Sequence, residues 1–200
     1  MRTVILNIFL LIFFFALGKF TCKSQSVVTD CDGISYRTIK IGNQLWMAEN
    51  LNTIHYANGE RINSFCYDDD TTFCAKYGRL YNWDALKVGA SSQYSICPPN
   101  WHVSTDEDWY IMLEFVGGLN NAGSVLRRGE YANFNLQCGG NYQTELDIFS
   151  FIDRNTYFWT STEFSSTAAW MRMTGANMKN VNRSTAPKEY AFSIRCVKDL

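Results

Sequence analysis

The residues best equipped for chemistry lie between Phe65 and Leu86, in FCYDDDTTFCAKYGRLYNWDAL, where Cys66 and Cys74 bracket Asp68, Asp69 and Asp70. Two thiols at this spacing serve a metal, a redox step or a covalent clasp, and the compartment decides which. A zinc site wants CxxC-like pairs or histidines at ligand spacing. The two histidines, His55 and His102, sit far from any such pair in sequence. Three adjacent carboxylates offer the hard oxygens that calcium prefers, so Asp68, Asp69 and Asp70 are the calcium candidates of the chain. The D-x-D-x-D-G order of a calcium loop is missing, however, and a solvated acidic turn accounts for them better.

The compartment is read from the start, MRTVILNIFLLIFFFALGKFTCKSQS. Arg2 leads into an apolar run from Val4 to Gly18, broken by Asn7 and too short for the ~20 residues that span a bilayer. This is the pattern of a secretory signal peptide over residues 1–26, with cleavage near Ser26 after the small residues Ser24 and Ser26. A rival reading makes Cys22 a lipid-carrying first residue, although Lys19 and Phe20 suit that cleavage poorly. No later segment is long and apolar enough to cross a membrane. The expected product is secreted or held at a bacterial cell surface, touching the membrane only through that lipid.

Removing the leader takes away Arg2, Lys19 and Lys23 and leaves 15 basic against 19 acidic residues, a net charge of −4. That balance gives no electrostatic reason to expect nucleic acid or an anionic membrane as partner. Residues 27–200 suffice for one domain with a real core. An aromatic content of 16% argues against a disordered stalk.

Export also sets how the cysteines are read. Without Cys22, six remain: Cys31, Cys66, Cys74, Cys97, Cys138 and Cys196. An even number in an oxidising compartment favours disulfides. Cys66 and Cys74 then form a clasp that displays the three aspartates.

The elements that would position these groups are those of an α+β domain. Ile34–Ile41 is β-rich and partly alternating. Ser104 can cap a helix, with Glu107 completing a capping box. Trp109, Met112, Leu113 and Val116 follow at i, i+3, i+4 and i+7 as one buried face, and Gly117-Gly118 stops the helix. Period-two patterns mark Tyr157–Ser161, Ala169–Met173 and a last strand, Tyr190–Cys196, with Tyr190, Phe192, Ile194 and Cys196 on one face. An inward Cys196 is placed to reach Cys97, just before the helix, so those two are paired.

Catalytic readings are weak. His102 beside Trp101 reads as a structural hydrogen-bonding residue, and Asp106, Glu107 and Asp108 as carboxylates at the positive end of a helix. No G-x-S-x-G, HExxH or P-loop pattern is present. No nucleophile comes with a base.

The ordered stretches DGISYRTIKIGNQLWMAENL, CAKYGRLYNWDAL, CPPNWHVSTDEDWYIMLEFVGG, FWTSTE and FSIRCVKD resemble the Fibrobacter succinogenes major paralogous domain family, from about Val28 to Asp199. That family is similar in turn to the C-type-lectin-like fold of formylglycine-generating enzymes. The resemblance implies a disulfide-stapled single domain with irregular loops, exported or surface-attached. Cys31 and Cys138 look like additions to the family pattern, and two added thiols most simply add one bridge, so they are paired with each other. The closely spaced catalytic cysteines of formylglycine-generating enzymes have no counterpart in AAWMRMTGANMKNVNRSTAPKEYAF, so their thiol chemistry does not carry over.

What remains is binding. In a lectin-like fold the irregular segments after the helix commonly form the ligand face. Here they bring Tyr142, Tyr157, Trp170, Arg172, Asn177, Asn182 and Arg183, a mixture of flat rings, amides and guanidinium groups that suits a glycan or an extracellular protein. Core packing is the stronger reading for Trp159 and Trp170. The Glu-Pro-Asn and Gln-Pro-Asp motifs of calcium-bridged sugar binding are absent. The expectation is a non-enzymatic binding or adhesion module without a cofactor. A structural surface protein and an oxidoreductase or metal enzyme stand as alternatives.

Overall fold

The structure is a computed structural model and describes residues 26–200. The leader and Cys22 lie outside the described residues. In chain order the elements are β1 (Val27–Thr29), β2 (Ser35–Ile41), β3 (Gln44–Met47), α1 (Thr71–Tyr77) and β4 (Tyr81–Asn82). Then come β5 (His102–Val103), α2 (Asp106–Phe115), α3 (Leu119–Arg128), β6 (Gly139–Gln143) and β7 (Ile148–Ile152). Last are β8 (Asn155–Glu163), β9 (Ala168–Gly175), β10 (Asn182–Pro187), β11 (Ala191–Phe192) and β12 (Cys196–Asp199). The described residues are thus mixed α/β, mostly sheet, with three α-helices. One sheet runs β1-β2-β3-β12-β5 and the other β10-β9-β8-β6-β11-β4, with β7 paired to β6. The β6–β8 pair is parallel, whereas the long β8–β9 and β9–β10 ladders are antiparallel.

Ser26, the expected cleavage point, is already built into the first sheet: its carbonyl accepts from Thr38 N at 2.9 Å. In β2, Tyr36, Thr38 and Ile41 point inward while Ser35 and Arg37 are exposed, which confirms the strand reading there.

Helix α2 begins one residue later than its sequence implies. Thr105, not Ser104, is the cap: its hydroxyl accepts from Asp108 N at 3.0 Å, and the Asp108 carboxylate accepts from Thr105 N at 2.8 Å. Ser104 is fully buried and its hydroxyl is taken by Trp109 Nε1 at 2.9 Å, so it has no freedom to cap. The expected face is correct. Trp109, Met112, Leu113 and Val116 are buried, with the Trp109 ring 5.1 Å from both Trp46 and Phe158. Each such side chain stabilises the fold by roughly 1.5–3 kcal/mol. Gly117 and Gly118, both at positive φ, end this helix as expected, and a further helix, α3, begins directly after them.

A second core cluster lies between the sheets around Trp159, Phe192, Tyr81 and Met47. The buried indoles find acceptors, as the cost of an unpaired donor requires: Trp159 Nε1 donates to Tyr81 O at 2.9 Å and Trp83 Nε1 to Thr160 O at 2.8 Å. Trp159 is therefore core, as expected.

The last strand is not continuous. β11 belongs to the second sheet and β12 to the first, and Ser193, Ile194 and Arg195, all buried, carry the chain between them. Alternation fails there because both sides of the crossing face protein. Arg195 is fully buried. It donates to Asn50 Oδ1, Met47 O, Phe134 O and Asn135 O, each at 2.8 Å. Burial lowers its pKa to about 9, so it remains protonated at neutral pH. Asn50 also donates to Tyr77 O at 2.8 Å, just before Gly78. Gly78 has φ +75°, and a Cβ there would lie 2.8 Å from the Asn50 and Leu51 carbonyls, so only glycine fits.

Disulfides join Cys66 to Cys74 and Cys97 to Cys196. The pairing of Cys31 with Cys138 is not present: both are free thiols. Cys31 is exposed and donates to His55 O at 3.1 Å, whereas Cys138 is buried at the start of the β6 hairpin, near Arg127. The two neighbourhoods belong to different parts of the fold.

Candidate ligand-binding groove

Sheet register divides the seven residues read as a ligand set. Tyr157 and Asn182 both pair with Met173, so these three share one face of the β8-β9-β10 sheet. Trp170 and Arg172 project from the opposite face, towards α2. There, Arg172 is 1% exposed and its Nη2 donates to Asp106 Oδ1 at 2.6 Å, while Arg183 Nε donates to Asp106 Oδ2 at 2.8 Å. Arg172 therefore clamps the first turn of α2 to β9 and has no surface left for a ligand. The Arg183 guanidinium lies 3.2 Å from the centroid of the Trp170 ring and covers it. Asp106 is thus an ion-pair hub and not merely a dipole partner. Asn177 is exposed in the β9–β10 turn, and Tyr142 sits on β6 with its hydroxyl donating to Asp147 at 2.9 Å. The set forms no single site.

The three adjacent aspartates do not converge either. Asp70 caps α1 by accepting from Thr72 N at 2.8 Å, while Asp68 and Asp69 sit exposed in the turn before it. Among the described residues no three His, Cys, Asp or Glu side chains gather as a metal-holding group.

A concave site lies elsewhere. A groove of about 950 Å³ opens between Thr29–Cys31, Leu86–Ser92 and the run from Tyr94 to Val103. This is the size of a site for a small ligand or a few units of a polymer. Its rigid wall follows from the sequence CPPNWH. Cys97 is bonded to Cys196, Pro98 and Pro99 fix φ, and Trp101 N donates to Pro98 O at 3.0 Å to close a turn. Trp101 and Tyr94 are half-buried there, with Tyr94 edge-on to Tyr56 at 6.2 Å. Ser91 and Ser92 bring hydroxyls to the lining, while the Ser95 hydroxyl donates to Cys97 O at 2.9 Å and the Ser161 hydroxyl to Val103 O at 3.0 Å, bracing the wall. Nothing local in CPPNWH marks it as a groove wall, since the same residues read as the approach to a helix.

At the groove rim His102 behaves as a structural histidine. Its Nε2 lies 3.1 Å from Asp108 Oδ2, and that bond raises its pKa. Burial opposes charge on Asp108, but hydrogen bonds from His102 and Thr105 outweigh it and hold the carboxyl below its ordinary value. Outside the groove Asp32 accepts from Thr53 Oγ1 and Ile54 N, both at 2.6 Å, and pairs with His55 Nδ1 at 2.6 Å. These bonds overcome burial and lower its pKa to about 2.

A family model described as the Fibrobacter succinogenes major domain matches residues 39–198. The chain belongs to that family. No curated protein and no solved structure matched the chain. The groove wall and the Asp106 hub both lie inside the matched Fibrobacter domain, whereas Cys31 and β1 precede it.

Proposed function

We propose that this Fibrobacter-family domain is an exported, cell-surface binding module of C-type-lectin-like fold whose groove takes a stretch of glycan. The groove itself carries the reading: Trp101 and Tyr94 present flat rings beside a set of hydroxyls, on a wall fixed by a disulfide. Sugar rings offer C–H faces to aromatics and hydroxyls to serines, so neutral polar chains suit such a lining. The two disulfides support an oxidising destination outside the cytosol. Binding, not catalysis, is the act proposed, and attachment to the membrane is through a lipid on Cys22 or not at all.

The test is a glycan array followed by titration calorimetry on protein folded in an oxidising compartment. A saturable glycan is expected, with affinity falling about tenfold or more in Trp101→Ala and in Tyr94→Ala. Circular dichroism would show both variants folded. Capture of an extended peptide in place of a glycan moves the ligand class to a surface protein. Silence across the glycan array and a peptide array leaves the structural-protein reading standing.

A further inference from the structure

Away from the groove, the clasped loop packs on the β6–β7 hairpin through a chain of half-buried rings. Phe65 lies 4.9 Å from Tyr142, Tyr142 stacks on Phe149 at 4.1 Å, Phe149 is 5.2 Å from Tyr67, and Tyr67 is 5.6 Å from Phe73. Gly140 permits the approach, since a Cβ there would meet the Tyr67 ring at 2.9 Å.

The rim of this aromatic face is acidic. Asp68, Asp69, Glu145 and Asp147 are exposed, and among the described ion pairs none of them has a basic partner. Lys76 and Arg154 are the basic residues in segments 65–77 and 142–154, against six acids. The hydrogen bond to Asp147, with burial and the charges of Asp147 and Asp69, raises the Tyr142 pKa, so these carboxylates share one field.

The molecule itself shows what such a face attracts. Lys76 Nζ lies 4.5 Å from the centroid of the Tyr77 ring and 3.8 Å from Asp153 Oδ1. Arg183 repeats the pattern on Trp170 beside Asp106. A cation over a ring and against a carboxylate is held by both the quadrupole and the charge.

We propose that this face docks a basic segment of a partner polypeptide, its lysine or arginine cations lying over Tyr67, Phe73 and Phe149 and against Asp68, Asp69 and Asp147. The partner is selected by charge complementarity, and the face is independent of the groove. Six acids facing two bases leave a net negative surface that neutral or acidic partners do not satisfy.

The experiment is fluorescence anisotropy with a labelled hexa-arginine peptide, against a Gly/Ser peptide of equal length. The arginine probe should bind and weaken as salt rises, while the neutral probe should not bind. Asp68→Asn, Asp69→Asn and Asp147→Asn together should weaken binding about tenfold; Asn tolerates the positive φ of all three sites, so the fold is kept. Glu107→Gln with Glu114→Gln, exposed acids on α2, should change it less than twofold. Phe73→Leu keeps apolar volume but removes the ring, and should weaken binding about threefold with every acid intact. Equal losses in the two acid-removing variants, or an unchanged Phe73→Leu, would mean diffuse attraction and overturn the proposal, as would absence of binding by the native protein.

Discussion

Arg195 Nε donates to Asn50 Oδ1 at 2.8 Å, and this bond ties the crossing between β11 and β12 to the segment that follows β3. The same guanidinium holds three backbone carbonyls, from Met47, Phe134 and Asn135, and lies 4.7 Å from the Phe134 ring centroid. No carboxylate is hydrogen-bonded to it. Carbonyl dipoles and a ring face stabilise the charge, with Glu49 adding a coulombic pull, so three segments distant in sequence, 47–50, 134–135 and 193–195, depend on one side chain.

Replacing Arg195 with methionine should therefore cost about 3–5 kcal/mol, because several buried acceptors lose their donor together. Arg195→Lys should lose nearly as much, since one ammonium cannot reach oxygens arranged around a planar fork. Urea unfolding under non-reducing conditions measures both. A lysine variant of native stability would show that charge alone suffices.

The Asp106 hub gives a second contrast. Arg172→Ala should destabilise by about 2–4 kcal/mol, leaving Asp106 without its buried partner. Arg183→Ala, half exposed, should cost about 0.5–1 kcal/mol and uncover Trp170. Denaturation midpoints and the shift of tryptophan emission read the two effects separately.

Protonation should matter at the rim. The His102 pKa is raised above its ordinary 6.5, so its charged pairing with Asp108 is fully present below that value and is lost as pH rises through the folded pKa. The Asp108 pKa is lowered below 3.8, so its share is present above that value and is lost as pH falls through the folded one. The pair thus contributes most between about pH 4 and 6.5. With the His102 side chain 43% exposed, the gain is less than about 1 kcal/mol. His102→Asn should narrow its stability gap to the native protein as pH rises from about 6.5 through the folded His102 pKa. A constant gap would contradict the ion pair.

Thiol titration should find Cys31 reactive in the native state and Cys138 only after unfolding. Burial pushes the Cys138 thiol up in pKa, which slows it further. Removing the Cys97–Cys196 bridge, with its sequence separation of 99, should cost about 4–5 kcal/mol. Removing Cys66–Cys74, with a separation of 8, should cost about 2–3 kcal/mol. Mass spectrometry of peptides cut without reduction should find the Cys66–Cys74 and Cys97–Cys196 links and no Cys31–Cys138 link.

Much of this architecture was legible because it is local. The buried face of α2 follows from spacing, and the short clasp from two nearby cysteines. The cap was ambiguous by one residue because Ser104-x-x-Glu107 and Thr105-x-x-Asp108 both satisfy the same pattern; Trp109, by claiming the Ser104 hydroxyl, decides between them. Non-local relations were less accessible. Period two shows that Trp170 and Arg172 share a face, but not that α2 covers it or that Asp106 waits there. The groove depends on Thr29–Cys31, Ala57 and Ser161 meeting the run 86–103, and no single window contains them.

The bond between Cys97 and Cys196 encloses the two longer helices and the long strands in one covalent ring. A protease that nicks an exposed turn inside that ring, such as the one at Asn177, opens the circle without releasing a fragment. The protein can be cut there and still travel as one body.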